Sequence, residues 1–348
     1  MNARLANDVA IDRALGALLG VAIGDAMGMP SQTLPREQIH VIYGHINDFV
    51  AATADQPVSA GLPAGAITDD TEQCLLLARH LLGRRGGFDE TVWASELLAW
   101  ERETRARGVN DLLGPSTKRA IEALLSGTLA EEAGRFGTTN GAAMRIAPLG
   151  IATPVKPLEA FLDKVAATCR LTHNTPDAIG AAAAVASVVS AGVDGADFDE
   201  ALSIALAAAR TAERRVAAGL TTSIAERIER ALAFAQDKAG QAAADRIADA
   251  VGVSVAAAES VPMAFAVARL AGGDPWEAAV LAANIGDDTD TIGAIAAGMC
   301  GACRGASALP ADGARKVVEI NRLDLRPLAE GLLNLRRAQT TAMRAGVS

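Results

Sequence analysis

The stretch Ile11-Asp12-Arg13-Ala14-Leu15-Gly16-Ala17-Leu18-Leu19-Gly20-Val21-Ala22-Ile23-Gly24-Asp25-Ala26-Met27-Gly28 decides the fold class. It reads as a helix with a glycine at every fourth position: Gly16, Gly20, Gly24 and Gly28. That spacing puts all four near one face, where another helix backbone can approach. Asp25 interrupts this otherwise smooth surface. Composition points the same way. Half of the 348 residues are hydrophobic, only 3% are aromatic, and Tyr43 is the one tyrosine. The core must therefore be built from Ala, Leu, Val and Ile. Alanine is the best helix former and lets helices pack closely. Together these predict a compact all-α protein of one domain over residues 1–348.

The net charge of −9 argues against a nucleic-acid partner, because phosphate binding needs a basic surface. It leaves a basic protein substrate or a metal ion open. Residues 1–12 carry charges and no long apolar run, so no signal peptide is expected. No stretch is long and charge-free enough to span a membrane. The richest, residues 178–193, reads as a buried helix. Four cysteines without framework spacing predict a reducing, cytoplasmic setting. The oligomeric state is not encoded in any feature of this kind.

Further helices are expected over 68–83, 89–107, 115–126, 157–170, 176–192, 198–218, 223–250, 254–270, 275–284, 292–303 and 310–342. Ser223 with Glu226, and Asp274 with Glu277, have capping-box spacing. Residues 29–66 read as irregular, and 137–145 as a Gly-rich loop closing on Pro148. No strand pattern and no repeat emerge.

Two acidic clusters carry the chemistry. Thr68-Asp69-Asp70-Thr71 and Asp287-Asp288-Thr289-Asp290-Thr291 each sit at a loop-to-helix junction before an apolar helix. Capping explains one acid per helix start. It does not explain doubled acids, which repel one another unless a cation compensates. Hard cations such as Mg²⁺ and Mn²⁺ take oxygen ligands. A helical bundle can bring both helix starts to one end, and two such clusters suit a two-metal hydrolytic site. The spacing does not fit an EF-hand loop. Cys300 and Cys303 read as buried small residues. Trp93, Trp100 and Trp276 read as core, and His40 and His45 as surface.

Five motifs in order resemble the ADP-ribosylglycohydrolases: residues 24–28, 68–71, 140–145, 172–176 and 286–291. The match runs from about residue 11 to 335. The resemblance implies an all-α orthogonal multi-helix bundle with two Mg²⁺ or Mn²⁺ ions. Thr68, Asp69, Asp70, Asp288, Asp290 and Thr291 would be the ligands. The metals would hold the ribose hydroxyls, and a water activated by Asp69 or Asp290 would break an N-glycosidic bond. The substrate would be an ADP-ribosylated protein or a small ribosyl compound. His173 and the segment Asn140–Gly141 would line the substrate cleft, the latter approaching it backbone-first. Arg145 would pair with phosphate or with a buried Asp. Asp25 would support the ligands. Three positions depart from the family pattern. Gln32 stands for a usual Glu at the substrate, Ala142 for a usual Ser, and Asp287 for a usual Gly. These keep two other readings alive: an N-ribosidase for nucleosides, and a non-catalytic ADP-ribose-binding protein.

Overall fold

The computed structural model describes residues 3–106, 114–216 and 223–345. The helices run α1 (Ala3–Gly28), α2 (Arg36–Tyr43), α3 (Asp69–Gly83), α4 (Glu90–Ala106), α5 (Pro115–Leu125), α6 (Ala130–Ala133), α7 (Gly141–Met144), α8 (Ala147–Ala152) and α9 (Leu158–Arg170). They continue with α10 (Pro176–Val193), α11 (Phe198–Arg215), α12 (Ile224–Ala235), α13 (Gln241–Val251), α14 (Ala257–Leu270), α15 (Pro275–Ala283), α16 (Thr289–Arg304), α17 (Ala311–Asn321) and α18 (Leu325–Ala345). Among the described residues the only β-type pairing is one isolated bridge, Thr139 with Ala256.

The central pair is α1 against α16, held backbone to backbone. A Cβ placed on Gly16 would run into the backbone of Gly301, on Gly20 into that of Ala297, on Gly24 into that of Gly293, and on Gly28 into that of Asp290. The two helices therefore run antiparallel in matched four-residue steps. Gly293 and Gly301 return the contact by meeting the carbonyls of Gly24 and Gly16. The glycines do what their spacing predicts: they remove the side chains that would otherwise separate the axes.

Around this pair, α10 is buried along nearly its whole length and lies against α16, α11 and α8. By length and composition α10 could cross a membrane, but 89% of it is buried inside the fold. Helices α14 and α15 also pack on α16, and α3 contacts both central helices. Four cysteines are free and buried, as expected of Cys300 and Cys303. Trp93 and Trp100 are core, and Trp276 is half-buried.

Four expectations about local structure need correction. The stretch 29–66 contains α2, which Pro35 introduces. Residues 137–148 are not a plain loop: Gly141–Met144 and Ala147–Ala152 are helical turns. The segment 223–250 is two helices, broken where Asp237 and Gly240 take positive φ. Ser223 caps the first through the Ala225 amide. The 310–342 stretch is also two helices, divided at Arg322 in the left-handed conformation. In the last two cases the helical pattern runs on across the break, which the backbone at Asp237, Gly240 and Arg322 makes.

The glycine contacts make a direct prediction. Gly24→Ala should destabilise the fold by about 1–3 kcal/mol, because backbone atoms cannot move aside as a flexible side chain can. Gly83→Ala, where nothing lies within 4 Å of the added carbon, should be neutral or stabilising by up to about 1 kcal/mol. Urea unfolding of both variants checks the pair.

Candidate active site

Gly24 and Gly28 flank Asp25, so the close α1–α16 contact delivers this carboxylate into the interior, where it is fully buried. Asp25 reaches the start of α3. It accepts the Thr68 amide at 2.9 Å, the Thr71 amide at 3.1 Å and the Thr68 hydroxyl at 2.8 Å, and it also accepts the Thr71 hydroxyl. It thus caps α3 from another helix. The side chain of Thr68, at the N-cap position, makes no capping bond of its own. Asp69 and Asp70 are thereby freed from capping duty. Asp69 is half-buried, and Asp70 is 1% exposed.

At the start of α16 the cap is local: Asp290 accepts the Thr291 amide at 3.0 Å. Asp288, at its N-cap position, makes no capping bond either. Its carboxylate accepts from Asn140 Nδ2, which also donates to Ser260. Thr291 donates its hydroxyl to Asp70 at 3.3 Å, tying the two clusters together. Asp287 has φ +56°, which explains why a Gly would serve there and why Asp, tolerant of this region, is accepted. Its backbone pairs with Thr33 and Leu34, which sets Gln32 at the rim.

These groups line one cleft of about 330 Å³. Asp69, Asp70, Asp288, Asp290 and Thr291 form one wall, with Asn140 and Gly141 beside them and Gln32, Thr33 and Val58 at the edge. Thr117 and Lys118, in the first turn of α5, line the same cleft. Thr68 lies just behind, buried. Among the described residues, no three His, Cys, Asp or Glu side chains are already gathered tightly enough to grip one ion.

Their electrostatics reflect that crowding. Burial raises the Asp25 carboxyl to about 6, against the pull of its threonine hydrogen bonds. Burial raises Asp288 to about 7, while hydrogen bonds from Asn140 and Thr291 oppose the rise. Asp69, Asp70 and Asp290 are pushed well above the ordinary carboxylate range, first by burial and then by the neighbouring aspartates. One oxygen stands out: Asp70 Oδ1 is buried and has no hydrogen-bond partner.

Two of the expected substrate contacts lie elsewhere. Arg145 and His173 do not line the cleft and are 1% and 0% exposed. His173 sits directly behind Gly141, where an added Cβ would meet its ring. Its two ring nitrogens lie 3.0 Å from the Thr139 hydroxyl and 2.7 Å from that of Thr172. Burial, then the charges of Arg145 and Arg119, hold it well below the usual imidazole range. His173 is a neutral prop for the cleft wall. Ala142 is also buried and off the cleft. Sequence reading missed Thr117, Lys118, Val58 and Thr33. Only the Gly-Pro start of α5 and the irregular character of 29–66 hinted at them. His40 and His45 are exposed, as expected.

A cleft with an oxygen-only acid cluster, set in an all-helical bundle, matches one family throughout. The family model described as ADP-ribosylglycohydrolase matches residues 6–342. YegU of Escherichia coli (strain K12) is 36% identical over 327 residues, 94% of this chain and 98% of that protein. A Pseudomonas putida (strain GB-1) protein named ADP-ribosylarginine hydrolase Tri1 is 30% identical over 317 residues, 90% of this chain and 76% of its own length. A solved structure titled ADP-ribosylglycohydrolase-related protein complex superposes with a TM-score of 0.68 at 28% identity, covering 94% of this chain and 99% of its own. The chain belongs to the ADP-ribosylglycohydrolase family. It is an all-α glycosyl hydrolase.

The His173 environment predicts a pH dependence. In the unfolded chain the imidazole takes a proton near pH 6.5, whereas in the fold it resists protonation. Its contribution to stability is therefore complete above about pH 6.5 and is lost as pH falls below it. Melting curves from pH 8 to 5 should show a steeper acid loss in the wild type than in His173→Gln.

Proposed function

We propose that this enzyme hydrolyses the N-glycosidic bond joining ADP-ribose to its conjugate, using two Mg²⁺ or Mn²⁺ ions. The observation that carries the reading is the unpartnered, buried Asp70 Oδ1 among five carboxylates. An isolated buried carboxylate oxygen is costly unless a cation or donor meets it. Behind the cleft, the buried guanidinium of Arg145 feels Asp69 but gives this oxygen no hydrogen bond.

Thr68, Asp69, Asp70, Asp288, Asp290 and Thr291 would hold the ions, an all-oxygen set suited to hard cations. When bound, such ions polarise the ribose diol and lower the pKa of water. The chain supplies the rest. Asp25 fixes the start of α3, and Asn140 fixes Asp288. Gln32 at the rim cannot accept a proton as a Glu would, so the base is Asp69 or Asp290, both of which line the cleft. The cleft wall at the start of α5, with Thr117 and Lys118, offers a favourable place for a diphosphate. That wall favours an ADP-ribosyl substrate over a nucleoside. Ala142 is buried and off the cleft, so the hydroxyl of a serine there is not missed by the cleft lining. The Pseudomonas putida relative's name supports arginine as a bearer of the ADP-ribose.

Incubation with ADP-ribosyl-arginine and a nucleoside panel in Mg²⁺ or Mn²⁺ tests the reading. Release of ADP-ribose is expected. Release of free ribose and base would instead make the enzyme an N-ribosidase, and tight ADP-ribose binding without turnover would make it a binding protein. Asp290→Ala should lower turnover by at least about a hundredfold. Mn²⁺ at a hundred times its dissociation constant should stabilise the wild type by about 2.7 kcal/mol per site, read as a higher melting temperature.

A further inference from the structure

Arg145 is 1% exposed, a position that ordinarily requires a carboxylate partner. Neither of its hydrogen bonds goes to one. Nη1 donates to Gln73 Oε1 at 2.8 Å, and Nη2 donates to Thr172 Oγ1 at 2.6 Å. The guanidinium carbon lies 5.5 Å from the centre of the Trp93 ring. Gln73 is itself fully buried. It stands one turn after Asp69 on α3, on the same face, and its Nε2 donates to Asp69 Oδ2 at 3.2 Å. A guanidinium can only donate and an ionised carboxylate can only accept. Only one orientation of the amide satisfies both, so the partners fix the polarity of Gln73.

We infer that Gln73 is a positioning residue for Asp69, carrying the field of the buried Arg145 to the acid cluster and fixing the rotation of that carboxylate on the cleft wall. The amide has a role that direct contact could not fill. An Arg–Asp ion pair would take up Asp69 in a bidentate clamp. With Gln73 between them, the charges attract while Asp69 keeps its place in the cleft. The other arm of Arg145 runs through Thr172 and His173 to Thr139, next to Asn140 and hence Asp288. One guanidinium thereby braces both acidic clusters from behind. A lysine at 145 could not do this, since a single ammonium lacks the two-armed fork.

The inference rests on the reading that these acids hold divalent cations, and its test separates the two. Mn²⁺ titration of the full-length protein by electron paramagnetic resonance is combined with kinetics on ADP-ribosyl-arginine. Gln73→Met keeps the length and removes both hydrogen bonds. It should raise the Mn²⁺ dissociation constant about tenfold or more and lower kcat with little change in KM. Adding Arg145→Met to it should cost less than Arg145→Met costs alone, because the path to Asp69 is already cut. A Gln73→Met protein with a lowered melting temperature but a Mn²⁺ affinity within twofold of wild type would overturn the inference, as would additive effects. Should Gln73→Met fail to fold, Gln73→Glu keeps the shape and the Arg145 contact but offers Asp69 no donor. Its kcat should fall too, and a wild-type kcat would sink the idea. A wild-type protein that binds no Mn²⁺ would overturn the proposed function itself, whereas wild-type binding with indifferent Gln73 variants would overturn only this link.

Discussion

The rest of the molecule depends on the backbone contact between α1 and α16. Helices separated by ordinary side chains sit about 8–10 Å apart. Here four glycines on one helix meet the bare backbone of the other. The last two flank Asp25, so its carboxylate emerges beside the first turn of α16, where Asp290 stands. The same short side chain then reaches α3 and holds its first turn through Thr68 and Thr71. The glycine contact thus fixes Asp25 against α16, and its carboxylate fixes the first turn of α3.

That arrangement concentrates anionic groups where water cannot screen them. Burial raises every member of the cluster, which means that folding works against their ionised forms. The surroundings offset this unevenly. Asp25 and Asp288 receive strong donors and stop at about 6 and about 7. Asp70 keeps one oxygen with no donor at all. A fold selected only for stability would place a donor there or an apolar side chain. The site keeps its cost, as strained or unsatisfied groups at functional centres do, and the large alanine-rich core carries it.

What the sequence made legible was what depends on near neighbours along the chain. The four-residue glycine step, the doubled acids and the helix starts are local patterns, and each reappears in the structure. Roles that depend on distant partners were hidden. Nothing near Asp25 in the chain says that it caps a helix beginning 44 positions later. Arg145 and His173 looked like substrate contacts because they border Asn140–Gly141 and the Thr-His motif. The fold turns both inward, against Gln73 and the back of Gly141. The start of α5 became part of the cleft only through tertiary packing. Short helical turns at 141–144 and 147–152 were masked by their glycines and proline, which usually punctuate loops.

The departures from the family pattern fall where the fold can tolerate them. The cleft acids stand at the starts of α3 and α16, elements locked by the glycine contact and by Asp25. Gln32 instead lies on the irregular segment after α1. Gln56 and Ser59 pin that segment from one side, through the Gln32 and Met29 carbonyls, and Asp287 pins it from the other through backbone bonds. These ties are made to backbone, so the side chain at position 32 can change without loosening them. Loops fixed on a rigid scaffold are where specificity varies at least cost to stability. The side chain at position 32 is therefore free to differ without disturbing the acid cluster on α3 and α16.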